Sequence, residues 1–181
     1  KAMYQAVGSI GFTYGNILEP ACGVGNFFGL LPEEMSKFKL YGVELDGISG
    51  RIAKLLYPNA RIDITGYEKA GFPDDFFDLA IGNVPFGQYQ VNDPEYNKLG
   101  FSIHNYFLAK SLDKVRPGGI LAFITTRYTM DSKDTDVREY LAERADLLGA
   151  VRLPSTAFKA NANTEVVSDI VFLQKRDTPA D

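Results

Sequence analysis

The chain has 181 residues, 45% of them hydrophobic and 23% charged, the profile of one globular domain rather than of a disordered or fibrous chain. Its 19 basic and 23 acidic side chains give a formal charge of -4, and neither residues 1–90 nor the remainder are basic, so unaided nucleic-acid binding has no positive field to rest on. One cysteine, Cys22, and one histidine, His104, exclude an internal disulfide and a clustered thiolate or imidazole metal site; with no apolar run of roughly 20 residues, a soluble, cytoplasmic, metal-free protein off the membrane is expected.

In chain order, Ala2 to Gly11 reads as a short helix, with Met3, Val7 and Ile10 on one apolar face. The opening residue is Lys1 rather than Met, and the reading is of an excised piece of a longer protein. Strand-like runs follow at Asn16–Glu19, Leu40–Glu44, Arg61–Ile64, Asp78–Gly82 and Ile120–Thr125, with helical stretches at Ile48–Tyr57, Ile103–Val115 and Asp136–Arg144. This alternation predicts an α/β fold, a mostly parallel sheet with helices on both faces. Pro117-Gly118-Gly119 is expected to stop a helix and turn the chain into the Ile120 strand. Two final runs, Leu147–Leu153 and Glu165–Gln174, lack a helical period between them and predict an antiparallel pair at the sheet edge. The longest stretch without a pattern, Gln88–Gly100, has a length at which loops are more often functional than filler.

Two motifs carry chemistry. Glu19-Pro20-Ala21-Cys22-Gly23-Val24-Gly25 ends the first strand in a small-residue turn, where Gly23 and Gly25 let the backbone pass close to a ligand. Ligands of open α/β sheets bind outside the carboxyl ends of the strands, and Glu44 ends the second strand about twenty residues on, where an acid can accept from both hydroxyls of a ribose. A dinucleotide fingerprint would need a third glycine where Phe28 stands. A G-x-G turn alone is equally ordinary strand-to-helix punctuation.

The second motif, Asn83-Val84-Pro85-Phe86, follows the strand ending in Ile81-Gly82. An exocyclic amine on adenine is a poor nucleophile because its lone pair is delocalised into the ring. The Asn83 side-chain oxygen and the Val84 carbonyl could each accept one N–H of such an amine and draw the nitrogen toward tetrahedral geometry. Pro85 biases Val84 to an extended backbone, and Phe86 offers a face on which a base can stack. The plainer alternative is an Asx-type turn with a buried phenylalanine.

With both motifs in place, the chain resembles the adenine-N6 DNA methyltransferases of the class I fold, whose pattern is a glycine turn after strand one, an acid ending strand two and an N-P-P-Y/F turn after strand four. More narrowly, the run Gly82-Asn83-Val84-Pro85-Phe86-Gly87 through Phe101-Ser102-Ile103-His104 is similar to the methylase segment of large mobile-element proteins that join a methylase to a helicase region. The resemblance implies a Rossmann-like seven-stranded sheet with an antiparallel last strand, S-adenosyl-L-methionine as cofactor, and DNA as the partner, held with help from other domains or subunits. It places Glu19, Pro20, Ala21, Cys22, Gly23 and Gly25 around the cofactor's methionine part, Glu44 on its ribose, Leu45 against its adenine, and Asn83, Val84, Pro85 and Phe86 on the target amine. Phe158, between the last two strands, would cover the other face of the base or else plug the edge of the core.

Three departures accompany the resemblance. Val84 replaces the first proline of the turn. The third-strand acid has no firm match: the site falls near Gly66-Tyr67-Glu68, which puts Tyr67 among the cofactor-binding candidates, with Asp63 a few residues early. The segment before strand one is short and no target-recognition domain is visible, so residues 1–15 read as a helical lead-in, 16–176 as the catalytic domain and 177–181 as a tail, weakly active or inactive alone. Rival readings are a methyltransferase of the same fold acting on a guanine N2 in ribosomal RNA or on a protein glutamine, and a non-catalytic cofactor-binding module beside a helicase. His104 reads as a residue near a helix start capped by Ser102, without a catalytic role because amine methylation needs no imidazole base, and Phe107, Leu108, Leu112 and Val115 read as a core face.

Overall fold

Strands rich in Ile, Leu, Val and Phe, short enough to be bounded by glycine and proline turns, assemble in the computed structural model into one seven-stranded sheet with the order β3-β2-β1-β4-β5-β7-β6. Residues 1–12, 14–157 and 167–180 are described. The strands are β1 (Asn16–Glu19), β2 (Lys39–Glu44), β3 (Arg61–Ile64), β4 (Phe77–Asn83), β5 (Val115–Thr126), β6 (Ala145–Leu153) and β7 (Ser168–Lys175). The first five pair in parallel; β7 runs antiparallel to both β5 and β6. The expected mostly parallel sheet with an antiparallel last strand is therefore the fold observed.

Alternate residues of the central strands feed two cores, as a sheet buried on both faces requires. Leu18, Ala80, Leu121 and Phe123 pack with Phe107, Leu108 and Leu112 of α3 (Ile103–Lys114). Ile17, Leu79, Ile81, Ile120 and Ala122 face the other way, against Met3, Tyr4 and Val7 of α1 (Ala2–Ser9). The predicted opening helix thus ends at Ser9 instead of Gly11, and its Ile10 is exposed. Helix α2 (Gly47–Leu56) begins where the Asp46 carboxylate accepts from the Ser49 N–H at 2.7 Å, an N-cap that satisfies one of the helix's free donors. Two further α-helices among the described residues are α4 (Tyr128–Asp131), which the sequence reading did not contain, and α5 (Asp136–Arg144), whose bounds coincide with the expected ones.

The expected Pro117-Gly118-Gly119 turn is absorbed into β5. Helix α3 ends at Lys114, Val115 already pairs with Phe77, and the register then jumps so that Leu79 faces Ile120. Gly118, at φ +73°, takes up the irregularity in a region that favours glycine. Phe158 lies outside the described residues, as does Glu165, with which the last expected strand begins.

Strand order reverses between β1 and β4. To the left of that point the sheet grows through β2 and β3, to the right through β5, and the crevice at the carboxyl ends of these two strands is where open α/β sheets take their ligands.

Candidate active site

The glycine turn leaves β1 at this crevice. Gly23 and Gly25 have φ of +55° and +84°, and the ring of Tyr57 lies where a Cβ on Gly25 would project, so both positions need glycine. The turn is tied to β2 by Glu44, whose Oε2 accepts from the Gly23 N–H at 2.7 Å while Oε1 accepts from the Asp46 N–H at 2.7 Å. Each carboxylate oxygen retains a further lone pair, so Glu44 can still accept from two hydroxyls.

On the other side of the crevice β4 ends in Asn83, whose side chain is exposed and makes no hydrogen bond to any described residue. Val84 is buried, and its N–H donates to the Ile124 carbonyl at 3.1 Å, which extends the β4–β5 ladder by one rung. A proline here, as in the N-P-P pattern, could not make that bond. The Val84 carbonyl accepts no hydrogen bond from a described residue. Phe86 is half-buried and touches both cores.

These two edges face one cavity of about 450 Å³. Of the residues expected in the site, Pro20, Ala21, Glu44, Leu45, Tyr67, Asn83, Val84, Pro85 and Phe86 line it. Leu45 is largely exposed at its rim. Tyr67 forms a wall, but its hydroxyl is engaged in the core with the Ser111 hydroxyl at 3.0 Å, and burial pushes its ionisation well above the tyrosine range. Of the two acids near the third strand, Glu68 lines the cavity, whereas Asp63 pairs with Arg61 at 3.0 Å. Thr65, Tyr89, Val91, Ile103 and Phe107 also line it; the sequence marked Tyr89 and Val91 only as part of a long loop and Phe107 only as core, and the fold brings them to the cavity.

Glu19, Cys22, Gly23 and Gly25 stand behind the cavity lining. The Cys22 thiol packs with Phe28, Ala53 and Ile62, and burial, with Glu19 and Glu44 nearby, pushes it up to about 12, so it stays protonated and inert. Glu19 is buried, and its Oε2 has no hydrogen-bond partner among the described residues.

A second, polar cavity of about 410 Å³ adjoins the first across residues 88–91: Tyr89 and Val91 line the first, Gln88 and Gln90 the second. Asn105, Tyr128 and Asp134 also border it. His104, on the same side, is buried, with Ser102 Oγ 3.0 Å from Nε2. The Ser102 hydroxyl therefore serves the imidazole and makes no capping bond to α3, although Ser102 does occupy the N-cap position. Burial lowers the His104 pKa, so the ring is neutral at pH 7.

The loop before α3 is fixed by buried charge. Lys110 Nζ lies 2.8 Å from Asp93 Oδ2, with both side chains at most 6% exposed. The Tyr106 hydroxyl donates to the same oxygen at 2.8 Å. The rings of Tyr67, Tyr96 and Tyr106 surround the ammonium at 5.2, 5.7 and 5.8 Å. Asp93 is thereby fastened to α3, and the Ile103 N–H donates to the Tyr89 carbonyl at 2.9 Å, which holds the cavity wall in place.

A model of the Eco57I restriction-modification methylase family matches residues 58–158, more than half of the chain and including the Asn83 turn. The chain belongs to this family. The Eco57I-family chain is 31% identical over 182 residues, 97% of its own length, to the Defense against restriction protein B of Escherichia phage P1, and spans 8% of that protein. It is 28% identical over 171 residues, 91% of its length, to the Type II methyltransferase M.CvrRI of Paramecium bursaria Chlorella virus XZ-6E, and spans 43% of it. Among solved structures, the methyltransferase subunit of a type I restriction-modification system from Streptococcus thermophilus superposes with a TM-score of 0.74 over 96% of this chain and 43% of that one, at 14% identity, a likeness of fold. The chain thus spans less than half the length of these relatives. Membership in a methylase family of this fold makes S-adenosylmethionine its cofactor.

Among the described residues no helix is long and apolar enough to cross a membrane, and no cluster of three or more His, Cys, Asp or Glu side chains is placed to hold a metal.

Proposed function

We propose that this chain is the cofactor-binding and catalytic segment of a DNA methyltransferase that modifies the exocyclic N6 of adenine. The observation that carries the reading is the pair of free acceptors at the end of β4: the Asn83 side chain and the Val84 carbonyl, unengaged by described residues and on the wall of the cavity that Glu44 enters from the opposite side. The residues fit the cofactor. A cavity of about 450 Å³ lies in the range of small-molecule sites, Glu44 keeps free lone pairs at its mouth, and a buried carboxyl oxygen on Glu19 lacks a partner among the described residues.

When bound, S-adenosylmethionine supplies an electrophilic methyl group on a sulfonium. The chain's own part is positioning. Glu44 accepts from the ribose hydroxyls and, through the Gly23 N–H, sets the glycine turn against them. Asn83 and the Val84 carbonyl accept the two N–H groups of the amine, which localises its lone pair toward the methyl group; the Val84 N–H bond to Ile124 fixes where that carbonyl points. Phe86, braced by both cores, stacks on the base. No side chain at the turn is a strong base, so the rate rests on orientation and fixed dipoles, with the proton leaving after the nitrogen has become cationic. Oligonucleotide duplex must be gripped by other parts of a longer protein, since this chain is acidic.

Labelled-methyl transfer from S-adenosylmethionine to DNA, RNA and protein by the longer protein tests the reading. Label recovered as N6-methyladenine in DNA, and lost in Asn83→Ala with cofactor binding retained, is the expected result. Label confined to RNA or to protein would overturn the DNA assignment. Cofactor binding without transfer to any substrate would favour a non-catalytic module.

A further inference from the structure

Glu19, the last residue of β1, lies behind the cavity lining and is only 2% exposed. Its Cγ would lie 3.4 Å from a Cβ built on Gly82, so the side chain rests against the backbone just before Asn83, between the glycine turn and the β4 turn. Three neighbours, Tyr4, Cys22 and Glu44, are already committed. The Tyr4 hydroxyl, from α1, donates its one proton to the Phe27 carbonyl at 3.1 Å. The Cys22 thiol points to the Gly23 carbonyl at 3.8 Å. Glu44, from β2, is itself an acceptor, holding the Gly23 and Asp46 N–H groups. Among the described residues no donor serves Glu19 Oε2. An ionised carboxylate left in this state would carry the full cost of a buried, unpaired charge.

Burial first, then the charge of Glu44, pushes the Glu19 carboxyl well above its usual range. Tyr4 and Cys22, pushed upward mainly by burial, stay protonated as well and add no charge to offset it. The methyl donor brings one group that would suit such an oxygen: its amino-acid ammonium, a cation with three N–H donors, whereas the sulfonium has none.

We propose that Glu19 is protonated in the free protein and gives that proton up when the ammonium of the methyl donor settles against it, so that cofactor capture releases a proton. The exchange is balanced: the carboxylic acid loses H⁺ to solvent, the carboxylate pairs with the unchanged ammonium, and no covalent bond to carbon, nitrogen or sulfur is altered. Affinity then rises with pH as long as the free carboxyl is protonated, because the proton that binding releases is given up more easily as pH rises, and it levels off once the free carboxyl is ionised. The inference rests on the reading of this cavity as the methyl-donor site.

Calorimetric titration of this chain with S-adenosylmethionine, repeated in two buffers of different ionisation heat, counts the protons. About one proton released per molecule bound is expected, with affinity falling about tenfold per pH unit on the acid side. 5′-Methylthioadenosine, which has the nucleoside but no ammonium, should bind without release. Glu19→Gln should bind S-adenosylmethionine without release and with an affinity flat in pH. Infrared spectroscopy of the free protein supplies a measurement that needs no ligand: a protonated-carboxyl band present near neutral pH and missing in Glu19→Gln. Binding of S-adenosylmethionine without proton release, or absence of that band, overturns the inference and leaves the cofactor site standing. Failure of both compounds to bind overturns the cofactor reading, and the inference with it.

Discussion

Lys110→Met isolates the buried pair that holds the loop over α3. At 2.8 Å and an effective dielectric constant of about 20 the attraction between Lys110 and Asp93 amounts to about 6 kcal/mol, but withdrawing each ion from water costs several kcal/mol, so the intact pair adds little over well-packed apolar groups. The single substitution is different. It leaves the Asp93 carboxylate buried, with the Tyr106 hydroxyl and the Glu95 N–H as donors and no counter-charge, at a cost of about 3–5 kcal/mol. Asp93→Asn in the same chain removes the stranded charge while its amide oxygen can still accept from Tyr106, so the double variant should recover most of the loss. Urea unfolding followed by circular dichroism measures both, provided the slope with denaturant is unchanged. Loss of less than about 1 kcal/mol in Lys110→Met, or a double variant no more stable than the single, would refute the reasoning. The pair also sets an acid limit. Burial raises the Asp93 pKa, but hydrogen bonds from Lys110 and Tyr106 outweigh it and hold the group below its ordinary value. Its contribution to stability is complete above the unfolded value of about 3.9 and disappears as pH falls through the lower folded value.

Three further outcomes follow from the site. Glu44→Ala should weaken S-adenosylmethionine binding by about 1–3 kcal/mol, since it removes both the acceptor and the tie to Gly23; unchanged calorimetric affinity would take Glu44 out of the site. Val84→Pro, although it restores the more familiar turn, should cost about 1–3 kcal/mol in chemical denaturation because the Ile124 carbonyl loses its donor, and a neutral result would show that the rung is unimportant. Tyr67→Phe should lower stability by about 1 kcal/mol through the stranded Ser111 hydroxyl and leave cofactor affinity unaltered; a fall in affinity would mean that the hydroxyl serves the ligand.

How much of this was legible depended on how local the cause was. The bounds of β1, β3 and α5 follow from short runs whose apolar pattern and flanking turns decide them, and they coincide with the sequence reading. The glycine turn, Glu44 and the Asn83 turn were likewise readable because each is a strand end followed by its own loop. What the sequence concealed depends on distant partners. Helix α3 shows one core face by period, Phe107, Leu108, Leu112 and Val115, yet it is buried nearly all round because the loop through Asp93 covers its outer side. Lys110 in a helix looks like a solvated cation until Asp93, 17 residues earlier, is brought against it. The strand start at Val115 was hidden by Pro117 and the two glycines, which signal a turn but here make an irregular first stretch of β5 at its pairing with Phe77. The choice between Asp63 and Glu68 was open for the same reason: only the fold shows that Arg61 has already taken Asp63.

Four consecutive residues divide the two cavities, with Tyr89 and Val91 turned to the side of Glu44 and Asn83 and Gln88 and Gln90 to the polar side. Such alternation uncouples two mutational histories. Substitutions at 88 and 90 can reshape the polar hollow while 89 and 91 keep the contour of the cavity beside Asn83, so a single short wall can drift on one side and stay constant on the other.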